Sequence, residues 1–245
     1  MTWSIVARDD TGALGVVVAS RFFAVGALCA HARSGVGALA TQALVNPGYG
    51  PAGLDLMAQR RHEPAQVIEA LIVADAGRDH RQVHVVDARG RSAAYTGEQC
   101  VDWCGQLAYD GFSIAGNMLA GARVLEDTAR AYRDHAHLSF AERLIAAMAA
   151  GEAAGGDKRG KQSAALRIVT TEDYPMLDLR VDDHDNPLSE LQRLYDKSLE
   201  RFQPFVACLP SRAHPAGITD RAVIESEIER FNAKLKRGAS PTSAR

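Results

Sequence analysis

Strand-forming runs arrive in this chain two at a time. WSIVA (Trp3–Ala7) meets LGVVVAS (Leu14–Ser20) across the Asp/Gly turn DDTGA. RQVHVVD meets Ser92–Thr96 across the turn ARG. β-Branched residues on both sides of a short turn predict antiparallel hairpins. ALCAHA and VGALATQAL, around Gly35, predict another pair of short strands. Their small residues suit close sheet packing. QSAALRIVTT and MLDLRVDD predict a further pair. A βαβ unit would put a helix between consecutive strands, so this order argues for antiparallel sheets.

Helical segments separate the pairs. NPGYGPAGLDLMAQRR (Asn46–Arg61) predicts a loop entering a helix, with Pro51 near its first turn. PAQVIEALIVAD (Pro64–Asp75) carries apolar residues at helical spacing. After FSIAGN come VLEDTARAYRDH and SFAERLIAAMAAGEA, the second with Ser139 and Glu142 in capping-box register. PLSELQRLYDKSLERF opens on Pro187. The order fits an α+β fold, two antiparallel sheets between helix layers. One domain is expected over residues 2–207, with a helical extension over 208–237. DRAVIESEIERFNAKLKR reads there as a polar, exposed helix, and residues 238–245 as a disordered tail.

At 245 residues the chain is long enough to bury a core without staples. A net charge of -2 gives no reason to expect a nucleic-acid or membrane partner. No apolar run reaches spanning length, and the first residues do not read as a secretory signal. The expected compartment is the cytoplasm. Cys29, Cys100, Cys104 and Cys208 are too few for a disulfide scaffold. Cys100 and Cys104 form C-x3-C without a second pair or histidines at ligand spacing, so neither a metal nor another cofactor is expected. A homo-oligomer, most simply a homodimer, is the default assembly.

Thr2 stands directly behind Met1 and runs into a strand. A threonine hydroxyl is almost fully protonated at neutral pH and needs a base beside it to attack a carbonyl. With Met1 removed, as its small neighbour leads one to expect, Thr2 supplies that base itself. Its α-amine has an ordinary pKa near 8. The alternative is a β-favouring residue at a strand start. The cluster GGDKRGKQSAAL (Gly155–Leu166) sets Asp157, Lys158, Arg159, Lys161, Gln162 and Ser163 among three glycines before a strand. Glycines let a backbone approach a ligand. Gln162 between Lys161 and Ser163 breaks any phosphate-loop pattern. Asp157 is a candidate to orient Thr2. Arg159, Gln162 and Ser163 are candidate substrate contacts. In LRVDDH, Asp182, Asp183 and His184 fit a helix cap, a cation site, or a Ser-His-Asp arrangement.

TWSIVARD, TGALGVVVASRFFAVGA, ARSGVGALATQAL, NPGYGPAGL, RQVHVVDARGRSAAYTGEQCVDWCG, IAGNMLAG and AERLIAAMAAGEAAGGDKRGKQSAAL occur in this order over roughly residues 2 to 200. Together they resemble the domain-of-unknown-function 1028 family, which looks like a member of the N-terminal nucleophile (Ntn) hydrolase superfamily. The resemblance implies an αββα fold and a hydrolase-like site. It places Arg21 near that site, and Arg33 roughly where related enzymes carry a lysine. Ala19 and Ser20 stand where an acid is expected. A guanidinium cannot act as a base, so Arg33 would act electrostatically. Backbone N–H groups near Thr41 and Gln42, and the Asn117 side chain, are candidate donors to an oxyanion.

These readings imply an amide or acyl hydrolase that forms an acyl-enzyme at Thr2. The basic residues point to a small, carboxylate-bearing substrate. The alternatives are a binding protein that kept the fold without the chemistry, or a serine hydrolase using Ser4, Ser20 or Ser163 with His184.

Overall fold

The computed structural model describes residues 2–237. In chain order the strands are β1 (Thr2–Arg8), β2 (Leu14–Ser20), β3 (Ala30–Arg33), β4 (Gly37–Ala43), β5 (Arg81–Asp87), β6 (Ser92–Thr96), β7 (Trp103–Tyr109), β8 (Phe112–Leu119), β9 (Ser163–Val169) and β10 (Leu177–Val181). The helices are α1 (Gly26–Cys29), α2 (Tyr49–Arg60), α3 (Pro64–Val73), α4 (Arg123–Asp134), α5 (Phe140–Ala153), α6 (Pro187–Glu200), α7 (Phe202–Val206) and α8 (Arg221–Lys236). The strands form two antiparallel sheets, one in the order β10-β9-β2-β1-β8-β7 and one in the order β3-β4-β5-β6.

The sheets pack face to face, β1 over β4 and β8 over β5. Helices α2 and α3 cover the outer face of the smaller sheet; α4, α5 and α6 cover that of the larger. This is the expected αββα order. Alternation along β1 explains it: Trp3, Ile5 and Ala7 enter the core under α4 and α5, while Ser4 and Val6 face the second sheet. Fully buried residues such as Ile5, Leu144 and Ile168 each contribute about 1.5–3 kcal/mol of hydrophobic stabilisation.

The layer between the sheets is divided. It is apolar where β2 and β9 face β3 and β4, through Val16, Val18, Ala38, Ala40 and Ala165. It is polar where β1 and β8 face β4 and β5, through Ser4, Gln42, Gln82, His84 and Ser113.

Three elements depart from expectation. Gly26–Cys29 is helical, and the strand begins only at Ala30. Close approach explains the turn: a Cβ on Gly26 would lie 2.3 Å from the Ala165 Cβ. Strand β7 was not expected, because as an edge strand it has no buried residue and so no apolar alternation. Its pairing with β8 also shifts register between Trp103 and Gly105. At the C-terminal end of α6 the backbone breaks at Arg201, and α7 forms separately.

Helix α8 buries only Ile228, rests on α6 and α7, and is tied to them by the Arg201–Glu225 ion pair. The expected tail at 238–245 lies outside the described residues, as does Met1. Among the described residues no helix is long and apolar enough to cross a membrane.

Candidate active site

Strand register places four polar residues in one row. Asn117 on β8 is opposite Thr2 on β1, Thr2 opposite Ser20 on β2, and Ser20 opposite Ser163 on β9. Directly opposed residues share a sheet face, here the face turned to the second sheet. All four are buried, Thr2 at 5% exposure and Ser163 at 0%. The Thr2 and Ser20 hydroxyl oxygens are 3.1 Å apart.

The backbone of Thr2 is held from the opposite sheet and from β8. Gln42 Nε2 and Asn117 Nδ2 each lie 3.4 Å from the Thr2 carbonyl oxygen. Both amides also donate to one acceptor, Gln82 Oε1, at 2.8 and 3.0 Å. Gln82 is fixed in turn: its Nε2 lies within 3.1 Å of Thr96 Oγ1, Gly116 O and Gly105 O. An Asn side chain has two N–H bonds. Those of Asn117 are directed at Gln82 and Thr2, so its geometry is that of a positioning group, with no N–H left for an oxyanion. Gln42 likewise reaches Thr2 with its side chain.

Beyond the row, the glycine-rich segment 155–161 folds against the end of β2. Asp157, with a side chain 1% exposed, pins it there. One carboxylate oxygen accepts the Arg21 backbone N–H at 2.9 Å, and the other the Arg159 N–H at 2.8 Å. Asp157 therefore anchors the loop; no hydrogen bond joins it to Thr2 among the described residues. The Arg159 guanidinium pairs with Asp157 at 3.4 Å and donates to Arg21 O. Lys158 pairs with Asp102 and Lys161 with Glu152. Arg21 is exposed and donates to Lys161 O at 2.7 Å; its guanidinium has no carboxylate partner among the described residues.

Between this loop and β1–β2 lies a cavity of about 150 Å³. It is lined by Trp3, Ala19 and Ser20 on one side and by Glu152, Asp157 and Lys161 on the other. Thr2 is not among its lining residues: Trp3 and Ala19 face the helix layer, and the Thr2 side chain faces the second sheet.

The other sequence candidates lie apart or serve the fold. Arg33 is opposite Gly37 at the start of β4, whereas Gln42 stands near the strand's other end, and it pairs with Asp55 on α2 at 2.8 Å. It is not beside Thr2, because the hairpin at Gly35 carries it to the far end of the sheet. Gln162 donates its backbone N–H to Ser20 O and its side chain to Asp183. The Ser163 hydroxyl accepts from Val25 N–H and donates to Phe22 O, stapling the turn after β2. His184 Nδ1 accepts the Asn186 N–H at the start of α6, the helix-cap reading of LRVDDH. It meets no serine hydroxyl among the described residues.

The histidine that does meet a serine is His84. Its Nε2 lies 2.8 Å from Ser4 Oγ, and its Nδ1 3.2 Å from Ser113 Oγ. Burial pushes its pKa down to about 3, so the ring is neutral. His84 and Gln82 escaped sequence reasoning, although RQVHVVD showed the signal: two polar residues at alternate positions among valines. Among the described residues no group of three or more His, Cys, Asp or Glu converges on a metal-sized site, and Cys100 and Cys104 are free.

Residues 2–191 match the model of a family described as a family of unknown function, DUF1028. The chain belongs to this family. Protein SPO2555 from Silicibacter pomeroyi, a solved member of the same family, is 30% identical and superposes with a TM-score of 0.82. That alignment covers 90% of this chain and 96% of that one. Anbu, the ancestral β-subunit from Yersinia bercovieri, aligns over 85% of this chain and 98% of its own. At 11% identity and a TM-score of 0.36 that likeness carries no inference. No curated protein matches the chain. Family membership is therefore firm, and it assigns no reaction.

Proposed function

We propose that Thr2, exposed as the first residue by removal of Met1, is the nucleophile of a small-amide hydrolase. The observation that carries this reading is the setting of its hydroxyl. It lies 3.1 Å from Ser20 Oγ, at the first residue of a central strand, with its carbonyl held by two fixed amides. Such restraint is what a nucleophile needs to meet a carbonyl in one geometry.

The α-amine of Thr2, with an ordinary pKa near 8, takes the hydroxyl proton directly or through one water. Oγ1 attacks the amide carbon, the C–N bond breaks, and the protonated amine leaves. Water, deprotonated by the same α-amine, then cleaves the ester and regenerates Thr2. Ser20 shares a hydrogen bond with the nucleophile and holds it in place. Gln42 and Asn117 are positioning residues in this scheme. Arg21, exposed just past the end of β2 and next to Ser20, is the group suited to a substrate carboxylate. Arg159 is less so, because Asp157 already occupies it.

The test is the intact mass of untagged protein before and after p-nitrophenyl acetate. Loss of Met1 and gain of one acetyl group that maps to Thr2 is the expected result. Thr2→Ala should take up no acetyl, while Thr2→Ser should. Retention of Met1, or equal acetylation of Thr2→Ala, overturns the proposal.

A further inference from the structure

Strand β1 begins at Thr2, and at that end of the sheets three other strands finish: β2 at Ser20, β4 at Ala43 and β8 at Leu119. Each carries a residue that meets Thr2, namely Ser20, Gln42 and Asn117. The chain beyond those three residues is unusual in two ways.

The first is exposed apolar surface. Of ten large apolar side chains exposed among the described residues, four lie here: Phe22 (50%), Phe23 (62%), Leu44 (63%) and Val101 (56%). Phe22 and Phe23 stand two and three residues past Ser20, and Leu44 two past Gln42. Val101 O accepts the backbone N–H of Met118, the residue after Asn117, at 3.3 Å. One residue of chain spans at most about 3.6 Å, so each of these backbones lies within roughly 11 Å of a residue that meets Thr2.

The second is backbone strain. Five non-glycine residues among the described ones have a left-handed φ, and four of them adjoin this same surface. Ala24 (+51°) follows Phe23, Ala43 (+69°) precedes Leu44, Asp102 (+58°) follows Val101, and Met118 (+52°) follows Asn117. A Cβ disfavours this conformation, and residues held in it concentrate where a ligand is clamped.

Charge says what the ligand is. Arg21 stands between Ser20 and Phe22, and its guanidinium has no carboxylate partner among the described residues. A cation beside apolar surface suits an anion that carries its own apolar group. A second copy seated here rim to rim about a two-fold axis would instead set its Arg21 against this one.

We infer that the substrate is an amphiphilic carboxylate, its anionic group held by Arg21 and its alkyl or aryl group lying on Phe22, Phe23, Leu44 and Val101 beside the Thr2 hydroxyl. The inference rests on Thr2 being the nucleophile.

Untagged protein is acetylated by p-nitrophenyl acetate in the presence of butanoate, hexanoate or octanoate, and binding of the same three is read by calorimetry. A methylene half-covered by apolar side chains is worth about twofold in affinity, so octanoate should bind, and protect Thr2, about 15-fold more tightly than butanoate. Hexylammonium at equal ionic strength should protect at least about tenfold less well than hexanoate. Phe22→Ser with Phe23→Ser, both surface changes, should flatten the chain-length series to within about threefold. Val73→Ser, an exposed change on α3, should leave the series at full slope. Arg21→Gln should weaken all three carboxylates by about tenfold and keep the slope. Affinity independent of chain length, equal flattening by Val73→Ser, or octanoate bound without protection of Thr2 overturns the rim as the seat of the substrate. A parent dimer that dissociates in sedimentation when Phe22 and Phe23 are replaced also overturns it, the rim being then an interface between copies. Acetylation of Thr2 without a chain-length series overturns this inference alone. A chain-length series by calorimetry, on a protein that takes up no acetyl, overturns Thr2 as the nucleophile and the substrate reading with it.

Discussion

Ser4 Oγ and His84 Nε2 are 2.8 Å apart, and neither residue has any solvent exposure. A serine hydrogen-bonded to a histidine is the arrangement that activates a serine nucleophile. Here it is sealed between two sheets, and the Ser4 hydroxyl donates to Gln42 Oε1 at 2.7 Å. The imidazole is also held far below the pKa of a useful base by burial. The pair belongs to the polar half of the inter-sheet layer, which leads through Gln42 to the backbone of Thr2.

A structural role predicts a particular result for Ser4→Ala. The variant should lose about 1–3 kcal/mol of stability, because Gln42 and His84 each lose a buried partner. It should still be acylated at Thr2. Denaturation and acylation measured on one preparation check both halves. Loss of acylation at unchanged stability would point to Ser4 as the nucleophile.

The same burial makes His84 a source of acid sensitivity. Its pKa falls from the ordinary 6.5 to about 3 in the folded protein. Above pH 6.5 neither state binds the proton, and the group contributes nothing to pH dependence. Below it the unfolded chain is protonated and the folded one is not. Stability then falls by about 1.4 kcal/mol per pH unit from this group alone, until the folded pKa is reached. His31 is also pushed down by burial and acts in the same direction. Asp75, held below its ordinary value chiefly by Arg81, contributes stability that is lost only below about pH 4. Urea melts between about pH 6.5 and 5.5, above the range where Glu190 and Glu225 take up protons in the unfolded chain, therefore report chiefly on the histidines. His84→Gln should flatten that profile by the stated slope; parallel profiles would refute it.

Gln82 predicts a kinetic effect at a distance. Its side-chain oxygen is the common acceptor for Gln42 and Asn117, which hold the Thr2 carbonyl. Gln82→Leu should leave those amides free to turn. A small displacement of a reacting group costs up to about 100-fold in rate. The acylation rate should fall by an amount of that order, while the urea midpoint moves far less. A loss of stability large enough to account for the loss of rate would mean that the variant merely disturbs the fold.

Much of this was legible in the chain because it is local. Paired β-branched runs gave the hairpins, Ser139 and Glu142 gave a helix start, and Thr2 and Ser20 bracket a hairpin whose register follows from its short turn. The partners of Thr2 from the second sheet were not legible. Gln42 reaches it, and Gln82 reaches Gln42 and Asn117, only after two sheets pack, and sheet packing is set by whole faces. Arg33 failed as a neighbour of Thr2 for the same reason: distance along the chain said nothing about which end of the β3–β4 hairpin would lie near Thr2. The cations around Gly155–Lys161 looked available in sequence, and most proved to be paired, because carboxylates distant in the chain, such as Asp102, fold against them.

Asp157 provides the last prediction. It is the single acid of the glycine-rich cluster and is buried, and its carboxylate joins Arg21 and Arg159 through two backbone N–H bonds. Asp157→Ala leaves both N–H groups to find water. The Arg159 guanidinium is 41% exposed and can be resolvated, so the cost should be about 1–3 kcal/mol, below that of breaking a fully buried ion pair. The larger effect should be local. With its anchor gone, segment 155–161 should swing free, and hydrogen exchange at Arg21 and Arg159 should accelerate more than exchange in β1 and β2. Acetylation of Thr2, to which Asp157 makes no hydrogen bond among the described residues, should persist. Asp157→Asn keeps one acceptor and should lie between the two. If Asp157→Ala abolishes acetylation while exchange across the loop stays as in the parent protein, then Asp157 acts on Thr2 itself and its anchoring role is secondary.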